Sequence, residues 1–505
     1  MENSDSYKKS MHITSEEFMY KYTSRQLRLP DEFLMPFEGK LDHKNRWVRL
    51  ATMIPWEAFE EEYARHFKKS GRGEEAYNVR VALGTLIVKE RLRLTDEETA
   101  EQIAENPYLQ YFLGFDAFRM GKIFDPSQVT FFRKRFPEDI MNRINEAIIK
   151  NSKDDDNDQN SNDTGSNSES DGSEKQEKLN SGTLIIDATC TPADIQYPTD
   201  VRLLNDAREM LEKIVDQLHS CEKGKIRRPR TYRQKARKDY LSFTKQRKPN
   251  LKKVRKIKGK LLRYNRRLLK IIEKMADRHG FEGINRKQYV KLLVIQELQR
   301  QQTEMHENKE FRIEDRIVSI SQPHVRPIVR GKASAATEFG AKVEISIENG
   351  FARCEIISWD AFNEGTTLID ALKRYRQRNG CYPEVVLADK IYRNRDNHEF
   401  CKSEHIRLSG PKLGRKTEVI KKDEAKRIYL DGCERNAIEG KIGEGKRKYS
   451  LGRIMTKLAQ TSATSIVLSI IVMNLEKKLR LLLCHFFKRL LCGYCEQDIG
   501  FGCVA

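Results

Sequence analysis

No long apolar run occurs anywhere in this chain. The longest, Ile466 to Leu475, is interrupted by Ser469 and Asn474 and falls well short of the ~20 residues that cross a bilayer, so a buried helix is expected there and no membrane partner. The ten cysteines lack paired spacing. Without a signal-peptide pattern at the amino terminus, reduced thiols in a cytoplasmic protein are the expectation. Cys492-Gly-Tyr-Cys495 is a lone CxxC; Cys484, His485 and Cys503 lie near it, but the spacing matches no familiar zinc site. Acids are outnumbered, 74 against 94 Lys and Arg, for a net charge of +20. A polyanionic partner follows as the first expectation.

Acids are scarcest where that imbalance is made. Lys223 to Lys270 carries 22 Lys and Arg with Asp239 as its single acid, a local +21. The opposite bias fills Lys153 to Lys178, where nine acids and three lysines lie among Ser, Asn and Gly. So polar a segment cannot bury enough apolar area to offset its ordering entropy, and residues 151–180 are predicted to be a disordered acidic linker.

The 505 residues suffice for two or three domains. Residues 1–45 are weakly patterned. Arg46 to Lys69 reads as helical, and Val79, Ala82, Leu83, Leu86 and Ile87 repeat at helical spacing. Thr95-Asp-Glu-Glu98 is a capping box, and Asp125-Pro-Ser-Gln128 starts a further helix with Val129, Phe132 and Phe136 on its apolar face. Residues 46–150 are therefore expected to form an all-helical domain. Its Arg80, Arg91, Arg93, Arg133, Lys134 and Arg135 read either as DNA contacts in the manner of a helix-turn-helix or as the solvated basic face of a bundle.

Thr183 to Ala188 predicts a buried strand that delivers Asp187. Charged helical sequence follows from Val201 to about Asn308, and strand signals resume at Ile317, so residues 201–310 are a basic helical insertion between strands. Lys and Arg that neutralise phosphates add affinity without sequence information. Arg227, Arg228, Arg230, Lys252, Lys253 and Arg255 are accordingly assigned to a DNA-backbone clamp, the alternative being a solvated charged hairpin. Alternating runs Gly340 to Ile347 and Phe351 to Ser358 around Asn349-Gly350 predict a hairpin. A helix at Thr366 to Gln377 leads to Val385-Val-Leu-Ala-Asp389, a second strand ending in acid. Arg393 to Lys402 then reads as a helix and Ile406 to Ser409 as a strand.

On the helix beyond, Arg435, Glu439 and Lys446 fall at offsets 0, 4 and 11, which at about 100° per residue share one face. Three carboxylates on separate elements, Asp187, Asp389 and Glu439, are what a two-magnesium phosphoryl-transfer site requires. The alternative for any one of them is a solvated surface acid.

The contexts Ile-Ile-Asp-Ala-Thr, Leu-Ala-Asp-Lys-x-Tyr and Arg-x3-Glu-x6-Lys resemble the DDE transposases of bacterial insertion sequences. The likeness covers nearly the whole chain, including the helical amino-terminal region from Gly71 to Phe136. It implies an α/β fold, an RNase H-like core with a mixed five-stranded sheet flanked by helices, over residues 181–478, with a tail at 479–505. It also implies two Mg2+ ions, replaceable by Mn2+, with Asp187 bridging them, Asp389 holding one and Glu439 the other. Double-stranded DNA of the element ends and target is the implied partner, with a homo-oligomer acting on it at the bacterial nucleoid. Arg435 and Lys446 inherit DNA contacts from the family pattern; Lys390 and Tyr392 do so too, or else frame the strand end. Gly432 stands where some relatives have Tyr, and Ile391 where many have Gly.

Two rival readings compete. A DNA-binding relic without catalysis would carry the same basic insertion. Gly440-Lys-Ile-Gly-Glu-Gly-Lys446 fits the first seven positions of a P-loop, which would make an NTPase, but Arg447 replaces the hydroxyl that holds magnesium and no apolar strand precedes it.

Overall fold

The computed structural model describes residues 29–35, 39–67, 75–157, 180–221, 226–329, 337–410 and 422–497, with side chains to 482. Most of the expected acidic linker, Lys223, and the CxxC side chains lie outside the described residues.

Among the described residues seven α-helices come first: α1 (Arg46–Met53), α2 (Glu60–Ala64), α3 (Val79–Leu92), α4 (Asp96–Glu105), α5 (Pro107–Phe112), α6 (Gln128–Arg135) and α7 (Glu138–Asn157). Their boundaries have local causes. Arg93 turns left-handed to end α3, and Thr95 and Glu98 form the expected reciprocal cap on α4. Val129, Phe132 and Phe136 are buried as expected. Phe33 and Leu41, in the weakly patterned segment, join this core as well.

Strand β1 (Thr183–Pro192) opens the sheet, and the insertion follows as α8 (Asp200–Cys221), α9 (Arg233–Thr244), α10 (Leu251–His279) and α11 (Arg286–Asn308). Then come β2 (Arg326–Val329), β3 (Thr337–Glu348), β4 (Phe351–Ser358), α12 (Leu368–Asn379), β5 (Val385–Ala388), α13 (Arg395–Ser403), β6 (Arg407–Leu408), α14 (Lys422–Lys448) and α15 (Ala459–Gln497). Asn349 and Gly350 both take positive φ, the pairing that a tight β3–β4 turn demands.

The sheet has six strands, one more than the five expected. Central β1 runs antiparallel to β3 and parallel to β5, which continues in parallel to β6. Both β4 and the added β2 pair with β3. On one face, Leu184, Ile186 and Ala388 pack beneath α12 and α13. On the other, Ile185, Ile347 and Leu387 pack against Ile438 of α14.

Helix α15 joins this second face to the amino-terminal helices. Ile466, Ile470 and Ile471 share one core with Trp47, Leu86, Phe112, Val343 and Ile345. Polar groups buried in that contact are paired, as burial requires. Asn474 Nδ2 donates to Asn145 Oδ1 (2.8 Å) and to the Ala352 carbonyl (2.7 Å), and Ser469 Oγ donates to Glu90 (2.7 Å). The insertion instead keeps cores of its own, built from Leu211, Leu268, Ile272 and Leu298 and from Leu204, Leu261 and Leu262.

Candidate active site

Side chains alternate along a strand, so Asp187 shares the face of Ile185, and Asp389 that of Leu387. Ile186 and Ala388 are register partners on parallel strands. The two aspartates therefore leave neighbouring strands at one level, about 4.8 Å apart in backbone, on the face that α14 covers. β5 ends at Ala388, which leaves Asp389 exposed while Asp187 stays half-buried.

Asp187 accepts from the Ala188 N–H (2.8 Å). Burial raises its pKa above the ordinary 3.8, the backbone bond opposes this, and the like charges of Glu364 and Asp389 add to it while Arg435 counteracts. The site is thus a concentration of negative charge with one cation facing it.

Ile438 seats α14 on the sheet, and Arg435 of the same helix lies close enough to Asp187 for its charge to act there. Arg435 donates to Glu439 Oε1 at 3.4 Å, and Glu439 is 58% exposed. Among the described residues no three His, Cys, Asp or Glu side chains converge closely enough to hold one ion. The donors suit magnesium in kind, being hard carboxylate oxygens, and Glu439 is paired with Arg435.

Lys446, two turns further on, lines a cleft of about 720 Å³ between α3–α4 and residues 450–456, together with Lys89, Glu90, Arg93 and Arg453. It is thus separated along the helix from the aspartates. Lys390 is exposed beside Asp389. Tyr392 is a correction to its reading as a DNA contact: it is fully buried, and its hydroxyl donates to Glu344 Oε1 (2.9 Å), so it frames the strand end from beneath. Ile391 lies outside the left-handed region, so the turn has no need of the Gly common among relatives.

The amino-terminal cations also need correction. Arg80 is half-buried against Trp56 and donates to the Phe112 and Tyr111 carbonyls (2.9 and 2.8 Å). Arg91 pairs with Glu476, Arg133 with Asp96, Arg93 donates to the Arg447 carbonyl, and Arg135 to the Tyr63 hydroxyl. These groups hold the helices together, and Lys134 alone of the six stays exposed without such a polar bond among the described residues. In the insertion Arg227, Arg228, Arg230, Lys252, Lys253 and Arg255 are all exposed at its surface, although Arg228 pairs with Asp216 and Arg255 donates to the His306 carbonyl (3.3 Å). The one local acid, Asp239, is taken by Lys260 and Tyr264.

Gly440 to Lys446 is helical throughout, inside α14. A P-loop needs a loop between strand and helix to cradle phosphate, so the NTPase reading fails. No helix of the described residues is long and apolar enough to cross a membrane. Sequence reasoning missed Glu364 and Lys342, whose carboxylate and ammonium meet at 2.8 Å. The local signal was Asn363-Glu364-Gly365, a turn sequence ahead of α12.

Residues 386–476 match the model of a transposase DDE domain, and residues 35–135 that of a transposase domain (DUF772). The first match contains Asp389, Arg435, Glu439 and Lys446; Asp187 lies between the two. The chain is 30% identical over 181 residues to an uncharacterized protein, ORF8 of the nfe locus of Rhizobium meliloti, covering 36% of this chain and 78% of that protein. No solved structure matches. A DDE domain implies an RNase H-like core, and the mixed sheet with helices on both faces agrees with it. Two transposase domains in the order helical region then DDE domain make this chain a member of the insertion-sequence family of DDE transposases.

Proposed function

We propose that this transposase binds the ends of its mobile element and cuts and rejoins DNA there, through Asp187, Asp389 and Glu439. The observation that carries this reading is the register of β1 and β5, which sets two acids side by side beneath the helix bearing the third. Bound Mg2+ or Mn2+ would activate the attacking oxygen and stabilise the leaving one. Asp187, Asp389 and Glu439 would hold the ions.

The chain's own groups orient the substrate. Arg435, within reach of Asp187 and bonded to Glu439, would offer its guanidinium to the scissile phosphate. Lys390 and Lys446 hold phosphates on either side, and the cations of α9 and α10 grip the flanking backbone. Two ends must be handled together, so a homo-oligomer on DNA is part of the reading. A labelled duplex carrying the element end is the test. In Mg2+ the wild type should leave 3′-hydroxyl termini, and Asp187→Asn, Asp389→Asn and Glu439→Gln should each lower the cleavage rate by at least about 100-fold, a loss of the size expected for a preorganised charge at the reacting centre. Equal cleavage by all four proteins would remove these acids from the chemistry.

A further inference from the structure

We infer that Glu344, a buried acid of β3 outside the Asp-Asp-Glu set, is a positioning residue for Asp389 that acts through the Tyr392 hydroxyl. This rests on the cleavage reading above.

Strand pairing holds Asp187 but stops short of Asp389. Asp187 lies within β1, in register with Ile345 of β3, whereas the pairing of β1 with β5 ends at Ile186 and Ala388. The backbone of Asp389 is fixed instead by the turn that follows it, Lys390–Tyr392, where the Tyr392 N–H donates to the Asp389 carbonyl (3.1 Å). That turn is fastened from the α12 face of the sheet. Tyr392 is fully buried, Asn397 donates to its carbonyl (2.7 Å), and its hydroxyl donates to Glu344 Oε1 (2.9 Å). Glu344 pairs in register with Ala188, the residue after Asp187. Hydrogen bonds and strand register thus link the strand that carries Asp187 to the turn behind Asp389, across the point where β1–β5 pairing stops.

Glu344 differs from the acids around it. Glu348 and Glu355, on the same hairpin, both pair with Arg378, and Glu355 pairs with Arg374 as well. None of the described cations pairs with Glu344. Its partners are two hydroxyls, of Tyr392 and of Thr367 before α12, both on Oε1, while Oε2 is buried without a hydrogen bond. A fully buried carboxylate satisfied so incompletely costs stability, and an apolar side chain would fill its place more cheaply. What an apolar side chain cannot supply is the bond to Tyr392. Groups that act on a reacting phosphate must be held within a fraction of an ångström, so a loosened turn shows in the cleavage rate and not in DNA binding by the exposed cations.

Tyr392→Phe removes the bond and keeps the ring. Its cleavage rate at saturating DNA and Mg2+ should fall about tenfold, in the range of outer-shell substitutions, with the salt dependence of DNA binding unchanged. Glu344→Leu should show the same loss, and the double variant no more than either single, as for two groups that act through one bond. Glu344→Gln, whose amide oxygen still accepts from Tyr392, should stay near the wild-type rate. Melting curves identify folded variants, and if Glu344→Leu does not fold, Tyr392→Phe and Glu344→Gln decide. A wild-type rate in Tyr392→Phe, multiplied losses in the double variant, or a tenfold loss in folded Glu344→Gln would each overturn the proposal. Wild type that never cuts would overturn the cleavage reading itself; wild type that cuts, beside an inactive Asp389→Asn and a fully active Tyr392→Phe, would overturn only the role of Glu344.

Discussion

The amino-terminal helices and the insertion are both helical and basic, yet they use their cations differently. In the first, Arg80, Arg91, Arg93, Arg133 and Arg135 are bonded to carbonyls, carboxylates or a phenol within the protein. In the second, the six residues proposed as a DNA clamp stand exposed at the surface around separate small cores, with only Arg228 and Arg255 among them bonded to Asp216 and to the His306 carbonyl. The helical region shares a core with the sheet through α15, whereas the insertion folds largely upon itself. Basic composition thus leaves cations available to a polyanion only where they are not consumed by internal partners.

The sharpest way to break this contrast is to damage each core. Phe112→Ala removes a fully buried ring packed on Trp47 and Trp56 and should cost about 3–5 kcal/mol, destabilising the sheet along with the helices. Leu211→Ala in the insertion core should cost about 2–5 kcal/mol but leave β1 protected. Hydrogen exchange of β1 amides separates the two, and the shared core is refuted if Phe112→Ala leaves that exchange slow.

Next in size is DNA affinity. Replacing Lys252, Lys253 and Arg255 with Gln should flatten the salt dependence of DNA binding by about 2–3 in slope, near 0.9 for each phosphate that is no longer neutralised, with little change in melting. Arg80→Gln should behave in reverse, lowering stability by about 1–3 kcal/mol through unpaired buried carbonyls while the salt slope stays. Asn474→Ala, which breaks the bonds joining α15, α7 and β4, should cost a similar ~1–3 kcal/mol without altering DNA binding.

The smallest effect concerns pH. A raised pKa means that folding disfavours the Asp187 carboxylate, so stability falls as pH rises past the unfolded value. In the metal-free protein Asp187→Asn should then be slightly more stable than wild type at neutral pH, the difference vanishing in acid. Mn2+ binding should weaken on acidification from a higher pH than an aspartate at its ordinary 3.8 would give, and Arg435→Gln should move that onset higher still. Titrations of melting temperature and Mn2+ affinity against pH check both signs.

Much of the site was legible because its signals are local. Short apolar runs ending in acid gave β1 and β5, Asn349-Gly350 gave the hairpin, and Arg435 and Glu439 fall on one continuous helix as their spacing required. What stayed hidden depends on distant partners. Arg80 reads as a surface cation until carbonyls 31 and 32 residues away claim it, and Tyr392 reads as a DNA contact until Glu344, 48 residues earlier, accepts its hydroxyl. Strand β2 is a half-buried four-residue edge containing Pro327, too short to carry a periodic signal. That α15 would bind the first helices to the sheet has no local marker beyond the apolar run at Ile466.

The most direct measurement follows binding and cutting together, on one labelled element-end duplex in Mg2+, for wild type and Asp389→Asn. Wild type that binds and cuts, beside a variant that binds with unchanged salt dependence and does not cut, is the predicted result: DNA is held by the exposed cations and broken at the carboxylates. Wild type that binds but never cuts, in Mg2+ or Mn2+, would contradict it and leave a DNA-binding relic.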